Sequence, residues 1–364
     1  MSDSSVIRPH VVTLAIGTLL GCRVTAPPPE PAGTRAAPYP IPTAPPPPRR
    51  YLARRASVTP VIDGALDDPA WQAAPRSARF VDIEGSRRPA PRLDTRVQLT
   101  WDDSCLYVGA TLEEPDLWAT LTARDTVIFL DDDFEVFLDP DGDTHDYIEI
   151  EINARGAVWD LQLDKPYRDG GKARTTWDAE GMRAAVRNHG TLNDPTDRDR
   201  GWSVELAIPW TAFPTTAPRA GDRWRVNFSR VEWALDTAGG AYHKRGNPAT
   251  GRPLPESNWA WTPQYAVNMH LPELWGIVQF GGAAMREDPE DARARWDLRR
   301  VYYAQREYRT RSARYAARLD QLGLDDLRDG TALRELPEGW IATAPAPGGG
   351  VWTIRADGRI WKAP

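Results

Sequence analysis

Cysteine is nearly absent. Cys22 and Cys105 are the only two in 364 residues, too few for a disulfide framework. The five histidines (His10, His145, His189, His243 and His270) fall in no metal-ligand spacing, and neither CxxC nor HExxH occurs. There is no GxSxG elbow and no glycine-rich phosphate loop. These absences argue against a redox cofactor and against an enzyme. Paired carboxylates for glycoside hydrolysis are the one catalytic arrangement that the composition leaves open. Lysine is scarce, so the 45 basic residues are almost all arginine, and 51 acidic residues give a net charge of −6. A mildly acidic chain with no basic patch in its main body lacks the footprint of a nucleic-acid binder. Val11–Leu20, the apolar run near the start, is too short to span a bilayer as a stable anchor.

Proline and tryptophan are plentiful instead, at 34 and 16 residues. Residues 1–22 read as a lipoprotein-type signal peptide, with Arg8 before the apolar run and Leu19-Leu20-Gly21-Cys22 at its end. Cys22 is the expected lipidation site. Residues 23–50, with Pro27-Pro28-Pro29 and Pro45-Pro46-Pro47-Pro48, read as a polyproline spacer. Together they predict a membrane-anchored lipoprotein of the cell envelope, either periplasmic or surface-exposed.

From residue 51 the pattern is β. Val97, Leu99 and Trp101 alternate before the Asp102-Asp103-Ser104 turn, and Leu106, Val108 and Ala110 alternate after it. A second hairpin pairs Phe134, Val136 and Leu138 with Ile148, Ile150 and Ile152. Further strands are expected at Val158–Leu163, Met182–Asn188, Trp202–Ile208, Trp224–Trp233 and Trp275–Phe280. Many short strands separated by Gly, Pro and Asp turns predict an antiparallel β-sandwich over 51–282. Residues 283–364 are expected to add a long helix from Asp288 to Leu322, stopped at Gly323, and a small β-hairpin unit over 339–362. This appendage is a candidate surface for a protein partner.

Three stretches carry candidate chemistry. Asn258-Trp259-Ala260-Trp261-Thr262-Pro263 combines aromatic faces with an amide, as one wall of a sugar site would, although two such tryptophans also suit a strand core. In the second hairpin, period two puts Glu135, Phe137, Glu149, Glu151 and Asn153 on the face away from the apolar set. That face is either solvated or a polar cleft. The turn holding Asp139, Asp141, Asp143 and Asp146 is dense in oxygen ligands and suits Ca²⁺ as a structural ion. It is no EF-hand, since the twelfth position is Ile150, and a plain polar turn is the other reading.

One ordered set of strings runs through this region. It opens with Val61-Ile62-Asp63-Gly64 and Asp67-Asp68-Pro69-Ala70-Trp71. Trp101-Asp102-Asp103, Asp132-Asp133-Phe134-Glu135-Val136-Phe137-Leu138-Asp139 and Gly201-Trp202-Ser203-Val204-Glu205 follow. Asn227-Phe228-Ser229-Arg230, Trp261-Thr262-Pro263 and His270-Leu271-Pro272-Glu273-Leu274-Trp275-Gly276 close it. This set resembles carbohydrate-binding module family 9. The resemblance implies a β-sandwich that binds a saccharide without catalysis, between two aromatic side chains, with calcium as a structural ion. Carried over by motif, Glu135 is the glutamate of Asp-x-x-Glu, Phe129 is the aromatic six residues before it, and Asn258 with Trp261 forms the second wall. Trp259 adjoins that wall, Glu151 stands where the family has an arginine, and Arg230 is the candidate replacement for that guanidinium. Three alternatives remain open: a structural or assembly module that binds a protein, an accessory domain of a carbohydrate-processing system, and a haem-binding sandwich using Met269 or His270.

Overall fold

The computed structural model describes residues 46–283 and 288–364, which lie in one compact unit. The signal peptide, Cys22 and all but the end of the proline-rich segment therefore lie outside the described residues. Among the described residues no helix is long and apolar enough to cross a membrane.

The chain enters as strand β1 (Arg50–Arg55), followed by a short helix α1 (Pro69–Ala73) and strand β2 (Val81–Asp82). A hairpin of β3 (Thr95–Trp101) and β4 (Cys105–Glu113) comes next, as the alternation predicts. Then come β5 (Asp133–Asp139), β6 (Tyr147–Asn153), β7 (Val158–Leu163), β8 (Ala173–Arg174), β9 (Arg183–Asn188), β10 (Gly201–Pro209) and β11 (Arg223–Glu232). A small hairpin, β12 (Leu235–Ala238) and β13 (Ala241–Lys244), precedes β14 (Ser257–Ala260) and β15 (Gly276–Phe280).

The strands form two curled layers. One runs β8-β7-β6-β5-β11-β15 and the other β3-β4-β10-β9, joined by β1 between β15 and β3. Neighbours are antiparallel except at β1, which runs parallel to both of its partners. Residues 50–53 of β1 pair with β15, and Arg54 and Arg55 pair with β3. Strand β11 pairs with β5 along one edge; its other edge is shared between β15 at its start and β14 at its end.

The inner faces meet in one apolar core. Phe134, Val136, Leu138, Ile148, Ile150, Ile152 and Phe228 face Val97, Leu99, Leu106, Val108, Val204 and Leu206. Burying each such side chain contributes about 1.5–3 kcal/mol, which makes this alternation the main determinant of register. The outer faces are covered as well. Trp71 of α1 packs on Tyr107 and Ala207, while Ile83, Ile128, Met269 and Trp275 pack on Phe137, Tyr147, Trp159 and Leu161.

One buried carboxylate fastens the N-terminal segment to this frame. Glu205 on β10 is fully buried; its Oε2 accepts the amides of Asp63 (2.7 Å) and Gly64 (2.6 Å). Its Oε1 accepts Trp71 Nε1 at 2.5 Å and the Leu66 amide at 3.3 Å. Gly64 has φ +85°, and a Cβ there would lie 2.8 Å from the Arg187 nitrogen, so this turn needs a glycine. The Val61–Trp71 string is therefore a clamp around Glu205.

The C-terminal part departs from expectation in two places. Helix α2 spans Pro289–Ser312 and starts at an Asp288 cap, as predicted, but it ends well before Gly323. Ala313 turns into the left-handed region (φ 58°), and the buried Gln305 amide binds both the N–H and the C=O of Ala316. This folds the chain back on the helix; Gly323 ends only a short 3₁₀ turn, Leu319–Leu322. The appended sheet has four strands, the first of them ahead of the expected 339–362 unit: β16 (Ala332–Leu336), β17 (Gly339–Pro345), β18 (Val351–Arg355) and β19 (Ile360–Ala363). Ala294, Leu298, Val301 and Tyr302 of α2 pack on Trp340, Ala342, Ala344 and Ile354 of that sheet.

Replacing Glu205 with alanine strands several buried donors, each costing about 1–3 kcal/mol. Glu205→Ala should therefore lose at least about 3 kcal/mol in urea unfolding. A midpoint close to that of the parent would show that the clamp is dispensable.

Candidate functional site

Pairing across β11, β5, β6 and β7 sets side chains in rows on the outer face of the first layer. One row is Ser229, Glu135, Glu151 and Trp159; the next is Asn227, Phe137, Glu149 and Leu161; and Val231, Asp133 and Asn153 form a third. The solvated reading of the hairpin does not hold: Glu135, Glu149 and Glu151 are each no more than 5% exposed. Burial pushes the Glu135 carboxyl up to about 7, with Glu256 nearby. Burial and then neighbouring acids hold Asp133, Glu149 and Glu151 well above the usual carboxylate range. The face also carries buried oxygens without hydrogen-bond partners, Asp133 Oδ2, Thr262 Oγ1 and Gln264 Oε1 among them. Unsatisfied atoms of this kind are what a ligand or ordered water takes up.

Phe129 stands at the lip of this face in a 3₁₀ turn, Ile128–Leu130, and is 37% exposed. Its amide donates to Glu151 Oε2 at 3.0 Å, and its carbonyl accepts Trp233 Nε1 at 3.0 Å. The buried Asp131 rivets the loop behind it, accepting the Thr120 and Leu121 amides, each at 2.7 Å, and Asn153 Nδ2 at 3.0 Å. Lys244 Nζ lies 3.3 Å from the centroid of the Trp233 ring. Asn258, half-buried on β14, pairs with Val231 and so shares the Asp133 face. Phe129, Glu135, Glu151 and Asn258 are thus placed on one side of the sheet, as predicted. Asp133, Ser229, Trp233 and Lys244 were not singled out as site residues. Their signal was parity with Glu135 and the apolar–basic hairpin after β11.

The other three predicted contacts lie on the opposite side. Arg230 pairs with Phe134, so it points into the sandwich, where it meets Glu114 (2.5 Å) and Glu232 (2.6 Å) and is fully buried. Burial alone would lower its pKa, but Glu232, Glu114 and Asp132 more than offset this and raise it. Burial and Glu232 push Glu114 up to about 8 against the pull of Arg230. Arg230 is therefore an interior ion-pair residue and does not replace a guanidinium at Glu151. Trp259 is a core residue whose ring lies under the Arg230 guanidinium at 5.3 Å. Trp261 is 1% exposed and packs on Phe228 at 5.8 Å between ring centroids. A Cβ at Gly276 would lie 2.3 Å from the Trp261 ring. Neither indole offers a face to a sugar, because the sandwich core already covers both.

The acidic turn is partly as expected. Asp139, Asp141 and Asp143 each bring an oxygen within 4.8 Å of the others, but Asp146 does not join them. The Asp146 backbone pairs with Asp164 at the end of β7 (3.1 Å) in a left-handed conformation (φ 51°), and the side chain is exposed. The three remaining oxygen donors suit a calcium ion, and burial raises the Asp139 pKa well above its usual value. The Gly142 and Thr144 amides bind Asp139, and Arg359 Nε reaches Asp143 at 2.5 Å. His270, the candidate axial ligand, is occupied by Tyr147 Oη at 2.9 Å and lies edge-on to Tyr167 at 4.6 Å. Burial and Arg168 hold its pKa down at about 3.

Two measurements follow from these placements. Trp261→Ala should cost about 3–5 kcal/mol of stability as a core truncation; a fold as stable as the parent's would contradict its burial. An unfolded chain protonates His270 below about 6.5, whereas the folded chain keeps it neutral down to about 3. Its contribution is thus present above pH 6.5 and lost as pH falls toward 3, at up to about 1.4 kcal/mol per unit. His270→Gln should flatten this acid limb of the Tm–pH curve relative to the parent, and identical curves would rule that out.

The family model described as "Carbohydrate family 9 binding domain-like" matches residues 62–240. No curated protein matches the chain. Among solved structures, a carbohydrate binding module family 9 from Caldicellulosiruptor kristjanssonii in complex with cellotriose is 17% identical. It covers 66% of this chain and 100% of its own, with a TM-score of 0.42. The same module in complex with glucose gives the same values. A Bacteroides uniformis ATCC 8492 protein provisionally described as carbohydrate-binding is 14% identical, covers 64% of this chain and 99% of its own, and has a TM-score of 0.47. Strands β14 and β15, which complete the first layer, lie beyond the matched residues. Residues 62–240 of the β-sandwich thus resemble the carbohydrate family 9 binding domain-like family.

Proposed function

We propose that this chain is a non-catalytic saccharide-binding protein of the cell envelope, held to a membrane by a lipid on Cys22 and spaced from it by residues 23–50. The family match over residues 62–240 carries the saccharide reading. The outer face of the first layer is the site it favours. There the exposed Phe129 ring takes the apolar face of a sugar, while Glu135, Glu151 and Asn258 lie on the same side for its hydroxyls. Trp233, bound to the Phe129 carbonyl, is the second aromatic group at this lip. Asp139, Asp141 and Asp143 are the residues that would hold a structural calcium ion. On the C-terminal sheet, the exposed Val351 and Trp361 mark where a protein partner would sit.

The experiment is a glycan array on the full chain, followed by titration of any responsive glycan with parent and Phe129→Ala proteins. Loss of one stacking contact, about 1 kcal/mol, should weaken binding by roughly fivefold. Because Phe129 is a surface residue, the melting temperature should barely move. Equal binding by Phe129→Ala would place the sugar elsewhere.

A further inference from the structure

We propose that Asp133, Glu135 and Glu151 form a site for a divalent cation of the hard, oxygen-liganded kind, distinct from the Asp139 turn. Each contributes a carboxylate oxygen within 4.8 Å of the other two, the spacing of ligands around one ion. All three are at most 5% exposed. No histidine or cysteine belongs to the group, so its donors suit calcium or magnesium rather than zinc or copper.

Charge balance separates this cluster from the others in the molecule. The described residues contain four such acidic triads. Arg230 sits in the triad of Glu114, Asp132 and Glu232; Arg124 binds Asp160 and Asp178; and Arg359 binds Asp143. Among the described residues, no arginine or lysine forms an ion pair with Asp133, Glu135 or Glu151, nor with the adjoining Glu149. Several buried like charges without a counter-charge are strongly unfavourable, and a cation removes that penalty.

A second observation points the same way. Ser229 lies directly opposite Glu135 on β11, on the same face, and is fully buried. A hydrogen bond from Ser229 favours the ionised form of Glu135, and the buried Oγ has no other partner. Asp133 spends Oδ1 on the Val231 amide (3.2 Å), and its buried Oδ2 has no partner. An ion would give Asp133 Oδ2 and Ser229 Oγ a common ligand role.

The test uses the full chain, stripped with EDTA and titrated calorimetrically with CaCl₂. One binding event should vanish in Glu151→Gln and weaken by at least about tenfold in Ser229→Ala. The paired change Asp141→Asn/Asp143→Asn should leave that event in place. Glu151→Gln relieves repulsion, so without metal it should melt no lower than the stripped parent. Unlike the parent, it should gain no Tm on addition of CaCl₂. Calcium binding that survives both Glu151→Gln and Asp133→Asn would overturn the assignment. So would a stripped parent indifferent to CaCl₂, including one that instead binds glucosamine through Glu151. The ion shares Glu135 and Glu151 with the saccharide reading, whereas Phe129 serves the sugar alone, so Phe129→Ala that keeps calcium binding but loses glycan binding tells the two apart.

Discussion

Side-chain parity along β5, β6 and β11 is the constraint on which the rest of this structure depends. Phe134, Val136, Leu138, Ile148, Ile150 and Ile152 must face the core, which hydrophobic burial enforces many times over. The same alternation leaves Asp133, Glu135, Glu149, Glu151 and Ser229 no choice but the other face. A slip of one residue would carry four carboxylates into the apolar interior. The polar face is thus held in place by the apolar one, and its acids can be crowded together because they do not determine the fold. Ile83, Ile128 and Met269 then pack on the apolar residues that share this face, Phe137, Trp159 and Leu161 among them.

Much of this was legible in the chain. Period-two alternation located both hairpins, and the order of motif strings pointed to the family. The polar face was legible as a set, since Glu135, Glu149 and Glu151 share parity whatever the pairing. What could not be read was which strands pair and in what register. Arg230 is opposite Phe134 rather than Glu135, a difference of one position that moves it from the cleft to the interior. The Trp259 and Trp261 ambiguity resolves toward the core for a similar reason: Trp259 lies opposite Arg230, and Trp261 fills the space that Gly276 leaves empty. The early end of α2 was hidden because Gln305 and Ala316 meet only through the tertiary fold. Strand β16 carries little alternation of its own and is fixed by pairing with β17.

The C-terminal unit is joined to the sandwich by polar contacts as well as by Trp296 packed on Leu271 and Leu274. Arg168 reaches Tyr302 at 3.0 Å, and Arg306 reaches Asp169 at 2.7 Å. Arg299 donates to Gly358 O at 2.6 Å and to Thr144 Oγ1 at 3.2 Å, beside the acidic turn. Burial with such partners makes orientation specific, because each donor accepts few geometries. Several aromatic and basic residues of α2 are spent on this joint and on the small sheet.

Strand β1 belongs to both layers and runs parallel to each neighbour. A pull on the chain ahead of Arg50 is directed along this strand, so it loads the hydrogen bonds to β15 and β3 in shear rather than peeling them off one by one. Bonds loaded together resist far more force than bonds opened in sequence. The domain is thus entered through its mechanically strongest kind of connection.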